Sequence, residues 1–302
     1  MRTRAIYSLL ILFALLARHN VQSQGSLNLL RAEKELKEDF KAINLGQTDS
    51  ARLVISLVFR EELRLALNIR GSDTYGWDSL KYIAKVESPD GLFRLYNWNI
   101  PLTGGGNRYF CLIQFKGALK KIPPVALSDR SSSITEPGQF RGDSLRWFGA
   151  LYYKVIPFEL KDAKTSYILL GWLGISNEVS GKIMEVLTLD SKGTPAFGET
   201  VFPDYGDGHS TRIIFRFSSS SAMSLRYLLQ PLPGKPLWNS RKKIYESDNH
   251  PRWMLVFDHL VPMDPQLEGQ FKFYVPASET AEGFVYENYK WKYIKEFDAR
   301  NP

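Results

Sequence analysis

The segment Tyr82-Ile83-Ala84-Lys85-Val86-Glu87-Ser88-Pro89-Asp90-Gly91-Leu92-Phe93-Arg94-Leu95-Tyr96-Asn97-Trp98 decides the fold. At its centre, Pro89 presets φ for the first central turn position, the Asp90 carboxylate can bond its neighbouring backbone, and Gly91 accepts a positive φ. The flanks are rich in aromatic and branched residues, which suit a pleated, half-buried surface. A β-hairpin with strands over 82–87 and 92–98 is therefore predicted.

The same texture continues downstream. Runs over 108–115, 151–158, 167–173, 182–189, 212–218, 223–228, 252–257 and 270–275 are rich in Val, Ile, Tyr, Phe and Trp and are punctuated by Gly, Pro, Asn and Asp. Asp190-Ser191-Lys192-Gly193 reads as another turn. A closing hairpin is predicted from 284–287 and 291–294, with Asn288-Tyr289-Lys290 as a three-residue loop. Upstream the period changes. Leu29, Leu36, Phe40 and Ile43 are spaced by seven, four and three with charged residues between them, which is an amphipathic helix. Gly46 ends it, and Thr48, Asp49 and Ser50 offer N-cap oxygens to a second helix that runs through Leu53, Leu57, Phe59 and Leu65 to about Asn68. The expectation is an α+β fold, mainly β, with an N-terminal helical hairpin packed on antiparallel sheets in a sandwich or open-barrel-like arrangement. Two polar stretches, 128–143 and 230–251, read as linkers or long surface loops.

The first residues carry a different message. Arg2 and Arg4 precede an apolar run over 5–17, followed by a polar stretch with Val21 and Ser23 as the small-residue pair before a cut at Gln24. The run is shorter than the about 20 residues a membrane-spanning helix needs. The expected organisation is a signal peptide over 1–23 and one composite β-rich domain over 24–302, with a subdivision near 128–143 as the alternative. A soluble product in the periplasm is favoured over release from the cell. No transmembrane anchor is expected after cleavage.

The formal net charge is +7, and loss of Arg2, Arg4 and Arg18 lowers it to +4, so no nucleic-acid partner is expected. The densest basic cluster, Arg241-Lys242-Lys243, sits in a Pro-rich stretch and reads as a solvated loop. Cys111 is the single cysteine. It permits no intramolecular disulfide, and its apolar surroundings mark it as a buried small hydrophobe.

Candidate chemistry is sparse. Asp258-His259 follows an apolar run, with Glu268 a few residues on, and an Asp can orient a His for general-base work. These two are the candidate catalytic residues, weighed against a loop-capping role. Asp204, Asp207 and His209 lie in a Gly-rich segment whose oxygens and imidazole can bind a divalent cation, although the spacing matches no named loop and turn chemistry explains it. No other cofactor is expected. Gly208-His209-Ser210-Thr211-Arg212 lacks the last glycine of a nucleophile elbow and precedes a strand instead of following one. Thr103-Gly104-Gly105-Gly106-Asn107 lacks the Lys-Ser/Thr of a phosphate loop. Trp238 is the tryptophan most open to a glycan by its polar surroundings, and His250 can join the Asp258-His259 pair only through folding.

Several phrases together resemble a family of exported proteins of unknown function from Gram-negative bacteria: Phe93-Arg94-Leu95-Tyr96-Asn97-Trp98-Asn99, Gly149-Ala150-Leu151-Tyr152-Tyr153-Lys154, Val256-Phe257-Asp258-His259-Leu260, and Gly283-Phe284 running to Trp291-Lys292-Tyr293. The resemblance implies a bacterial envelope and no established activity. The absence of any Asn-x-Ser/Thr acceptor accords with it. The functional expectation is a non-catalytic binding or assembly module with an envelope protein or glycan as partner. A metal- or carboxylate-dependent hydrolase of an envelope polymer and a carbohydrate-binding protein are the alternatives.

Overall fold

Alternation along β2 (Phe93–Pro101) and β3 (Asn107–Phe115) builds the first two layers. In the computed structural model, which describes residues 27–162, 165–231, 237–241, 243–246 and 251–297, odd-numbered Phe93, Leu95, Cys111 and Ile113 face one core. Even-numbered Tyr96, Trp98, Phe110 and Leu112 face another. With β1 (Ala84–Glu87) and β4 (Val125–Ser128) these strands form a four-stranded antiparallel sheet in the order β1-β2-β3-β4. The expected turn joins β1 to β2: Gly91 has φ 70°, and the Ser88 hydroxyl accepts from the backbone of Leu92 and Phe93 at 3.1 and 3.0 Å.

The even face is covered by the helical hairpin. Helix α1 (27–45) and helix α2 (Asp49–Ala66) bury Leu36, Phe40, Ile43, Phe59 and Leu63 against Trp98 and its neighbours. Thr48 is the N-cap of α2, its hydroxyl accepting from Ala51 N at 3.2 Å.

The odd face packs on a second sheet, β5 (Gly142–Asp143), β9 (Pro195–Phe197), β8 (Val179–Leu189), β7 (Thr165–Gly174) and β6 (Leu151–Glu159), with β10 (Arg212–Ser218) also paired to β8. Its strands alternate likewise. Tyr167, Leu169, Ile183 and Leu187 face the first sheet, whereas Ile168, Leu170, Met184 and Val186 face a third. That third sheet is β11 (Leu225–Pro231), β14 (Pro251–Pro262), β15 (Tyr274–Glu287) and β16 (Lys290–Phe297). Between β11 and β14 the chain adds a small hairpin, β12 (Leu237–Asn239) and β13 (Ile244–Glu246). The order of layers is helices, sheet, sheet, sheet, so the expected α+β, mainly β class holds in its stacked form, with every ladder between strands antiparallel.

Two local readings need correction. The segment expected as a strand over 270–275 begins as a 3₁₀ turn at Phe271–Phe273, and β15 starts only at Tyr274. The closing loop has two residues, not three: Glu287 pairs with Lys290, and Asn288 and Tyr289 have φ of 51° and 64°. Two consecutive positive φ values are the signature of a type I′ turn, whose twist matches the strands it joins. No helix among the described residues is long and apolar enough to cross a membrane.

Cys111 is fully buried, and burial pushes its thiol well above its ordinary pKa. A thiolate is needed for reaction with a thiol reagent. The native protein is therefore expected to resist labelling at neutral pH and to take up one equivalent after unfolding; rapid labelling of the folded chain would contradict this placement.

Candidate functional site

His259 lies where β14 and β15 lose register, between Asp258, which pairs with Ala281, and Leu260, which pairs with Pro276. Such irregularities re-aim side chains at functional positions. His259 reaches Glu282, the cross-strand partner of Phe257, across this irregularity. Its Nδ1 stands 2.8 Å from Glu282 Oε1, and the Glu282 side chain is 8% exposed against 37% for the histidine. A carboxylate acceptor fixes the Nδ1–H tautomer and leaves Nε2 with a lone pair. Such an arrangement can orient a histidine as a base.

Asp258, the partner expected from the sequence, points elsewhere. Its Oδ2 accepts from Ser224 N at 2.7 Å, and its own N–H donates to Ser224 O at 3.3 Å, which pins the start of β11 to β14. Glu268 is exposed. Glu282 was missed because it reaches His259 by register: it pairs with Phe257, two residues away on the neighbouring strand. A hairpin register is invisible when β15 begins with an irregular stretch.

The loop over 204–209 meets this pair through Tyr205 and not through its metal candidates. The Tyr205 ring packs against Phe257, Phe284 and Tyr293 at 6.3, 5.5 and 5.2 Å between centroids. Burial, with a smaller contribution from the Glu282 charge, raises its hydroxyl to about 12. Asp204, Asp207 and His209 stay exposed. Asp207 Oδ1 accepts from His209 N at 2.9 Å, a turn bond. Gly206 and Gly208 have φ of 62° and 73°, and a Cβ on Gly208 would stand 2.5 Å from Pro203 O. Turn geometry accounts for the glycines. Among the described residues no group of three or more His, Cys, Asp or Glu side chains is arranged to hold a metal.

The remaining candidates are placed simply. Ser210 makes no hydrogen bond to a histidine or carboxylate among the described residues. The 103–107 segment is the β2–β3 turn, and Thr103 donates its N–H and hydroxyl to Asp49 at 2.9 Å each, holding the start of α2. The side chain of Trp238, all of His250, and the segment 1–23 lie outside the described residues. Among the described side chains, Trp253 is the exposed tryptophan, 55% open and stacked on Tyr227 at 5.0 Å.

Three tyrosines give a pH signature. Tyr75, Tyr96 and Tyr205 are each raised from 10 to about 12, in each case chiefly by burial. A phenol held protonated in the fold contributes stability that is present below pH 10 and lost as pH rises through about 12. The part of the tyrosinate absorbance that these three rings supply is expected to appear in that window, together with loss of far-UV dichroism. Full ionisation near pH 10 with structure retained would contradict it.

A second feature escaped sequence reading. Beyond the end of α2, the loop over 67–73, the end of β3 and the turn over 120–124 enclose a cleft of about 370 Å³. Its floor is buried and polar: Gln114 Nε2 donates to Leu67 O at 3.1 Å and to Ser72 Oγ at 2.9 Å, and Gln114 Oε1 accepts from Tyr96 OH at 3.0 Å. Its rim carries exposed Arg70, Lys120 and Lys121, none of them in an ion pair among the described residues, and half-buried Asp73. Only the adjacency of Lys120 and Lys121 hinted at this; Arg70 joins them through packing. No family model, curated protein or solved structure matches the chain.

Proposed function

We propose that this chain is an exported protein of a Gram-negative envelope that acts as a non-catalytic binding module, with the open end of its helical layer as the contact surface. The observation that carries the reading is the cleft rimmed by Arg70, Lys120 and Lys121, three cations with no ion-pair partner among the described residues, around a fully bonded polar floor and beside one half-buried carboxylate, Asp73. The excess of positive charge on one rim costs self-repulsion and draws an anionic partner. The signal-peptide pattern over 1–23 and the family resemblance supply the compartment.

The test has two parts. N-terminal sequencing of protein from its native host is expected to start at Gln24; Met1 in place would remove the export reading. Purified protein is expected to co-sediment with isolated envelopes, and R70E with K120E and K121E to abolish this while H259A leaves it intact. Equal binding by the triple variant would overturn the assigned surface.

The His259–Glu282 pair favours a second reading, a hydrolase acting on an envelope polymer, with Glu282 in the orienting role first given to Asp258 and with Nε2 as base. It requires that purified protein release soluble fragments from peptidoglycan and that H259A stop the release. An inactive wild-type protein removes that reading.

A further inference from the structure

We infer that the open end of the helical layer docks on an anionic phospholipid surface. This rests on the binding-module reading and names its partner. Exposed apolar residues run toward the same end. On α2, Val54, Leu57, Val58 and Leu65 are 60, 45, 53 and 61% exposed, at spacings of three, one and seven that keep them on the face turned away from the sheet. One turn beyond Leu65, Asn68 lines the cleft. On the first turns of α1, Leu27 and Leu30 are 64 and 60% exposed. A Cβ on Gly71 in the cleft loop would stand 3.8 Å from Leu29 Cδ1, which places the start of α1 beside that loop.

Leucines beside unpaired cations are what a bilayer interface accepts: the apolar side chains enter the acyl boundary and the cations meet headgroup phosphates. The α2 terminus does not oppose this. A helix C-terminus presents negative carbonyls, but Leu67 O already accepts from Ser72 Oγ at 2.6 Å and from Gln114 Nε2 at 3.1 Å. The rim cations are free of that duty. A site for a small soluble anion would enclose its ligand with buried donors, whereas here every cation is exposed and the buried donors are bonded to each other. Three cations near an anionic leaflet, set against the half-buried Asp73 in the same lining, raise partitioning by roughly 30-fold.

The test uses the purified chain with vesicles of phosphatidylglycerol and phosphatidylcholine, against vesicles of phosphatidylcholine alone. Co-sedimentation is expected on the anionic vesicles only, falling as salt is raised and falling by more than about 100-fold in the R70E, K120E, K121E variant, which reverses three charges. L27S with L30S and L65S is expected to weaken binding at unchanged salt dependence. Far-UV dichroism and the protected Cys111 thiol verify folding of both variants. Equal binding to neutral vesicles, indifference to the charge reversals, or complete competition by inorganic phosphate overturns lipid docking, the last by assigning the cleft to a free anion. If the chain binds envelopes through the three cations but not the vesicles, the lipid assignment falls and the binding-module reading stands. If it binds neither, both fall.

Discussion

Arg212→Ala is expected to lower the unfolding free energy by about 3–5 kcal/mol, because it leaves a buried carboxylate without its counter-charge. Arg212 and Glu185 have no exposed side-chain surface, and Arg212 Nε donates to Glu185 Oε1 at 2.7 Å. The other carboxylate oxygen accepts from the Tyr152 hydroxyl, which in turn accepts from Trp147 Nε1 at 2.8 Å. On its far side Arg212 donates to Pro137 O and lies 5.4 and 5.6 Å from the rings of Phe140 and Phe148. The guanidinium therefore ties the polar stretch over 128–143, and Phe148 beyond it, to the second sheet. Denaturant titration should show the loss, and limited proteolysis should show cleavage within that stretch before the rest. Glu185→Ala is expected to cost a similar amount. Exchanging both for apolar residues of similar volume is expected to recover most of it, since the desolvation of both ions then disappears. Arg212 Nη2 is buried without a partner, which adds to that cost in the native chain. Additive losses in the double exchange would refute this account.

Trp98→Ala is expected to cost about 3–5 kcal/mol by opening a cavity in the core between the helices and the first sheet. Trp98 is 1% exposed, stacks on Phe110 at 5.2 Å between centroids and meets the edge of Phe59 of α2 at 5.1 Å. It is one of the side chains through which helix and sheet share a core. Its Nε1 is buried without a hydrogen-bond partner. Trp98→Phe is therefore expected to cost much less than the change in volume implies, because the unsatisfied donor leaves with the indole. Thermal unfolding followed at a helical dichroism band distinguishes the two variants. A loss for Trp98→Phe as large as that for Trp98→Ala would contradict the account of an unsatisfied indole donor.

The strands that alternate between two cores were legible because both faces of the sheet are apolar and the punctuation is local. β10 was read to the residue, and the β1–β2 turn through Ser88 and Gly91 carried its own chemistry. Short β4, β5 and β9 were not legible: two to four residues carry no period, and they are strands only because a longer neighbour offers a free edge. Of the site, His259 was legible as an imidazole just beyond an apolar strand, with the adjacent Asp258 as its expected partner. Glu282 was not, since only the register of β14 on β15 joins them. The same holds for Glu185 and Arg212, opposed on adjacent strands. Their charges at inward positions of apolar runs were the visible anomaly.

The three sheets share one property of chain order. Strands of the first come from residues 84–128, of the second from 142–218 and of the third from 225–297, with no strand borrowed across these limits. Each sheet can therefore close as soon as its own stretch of polypeptide is delivered, and each then offers the next an apolar face to condense on. Loop-closure entropy is spent over short separations, which favours rapid assembly for a β-rich topology. A chain emerging from a pore with its amino end leading would fold layer upon layer in the order in which it arrives.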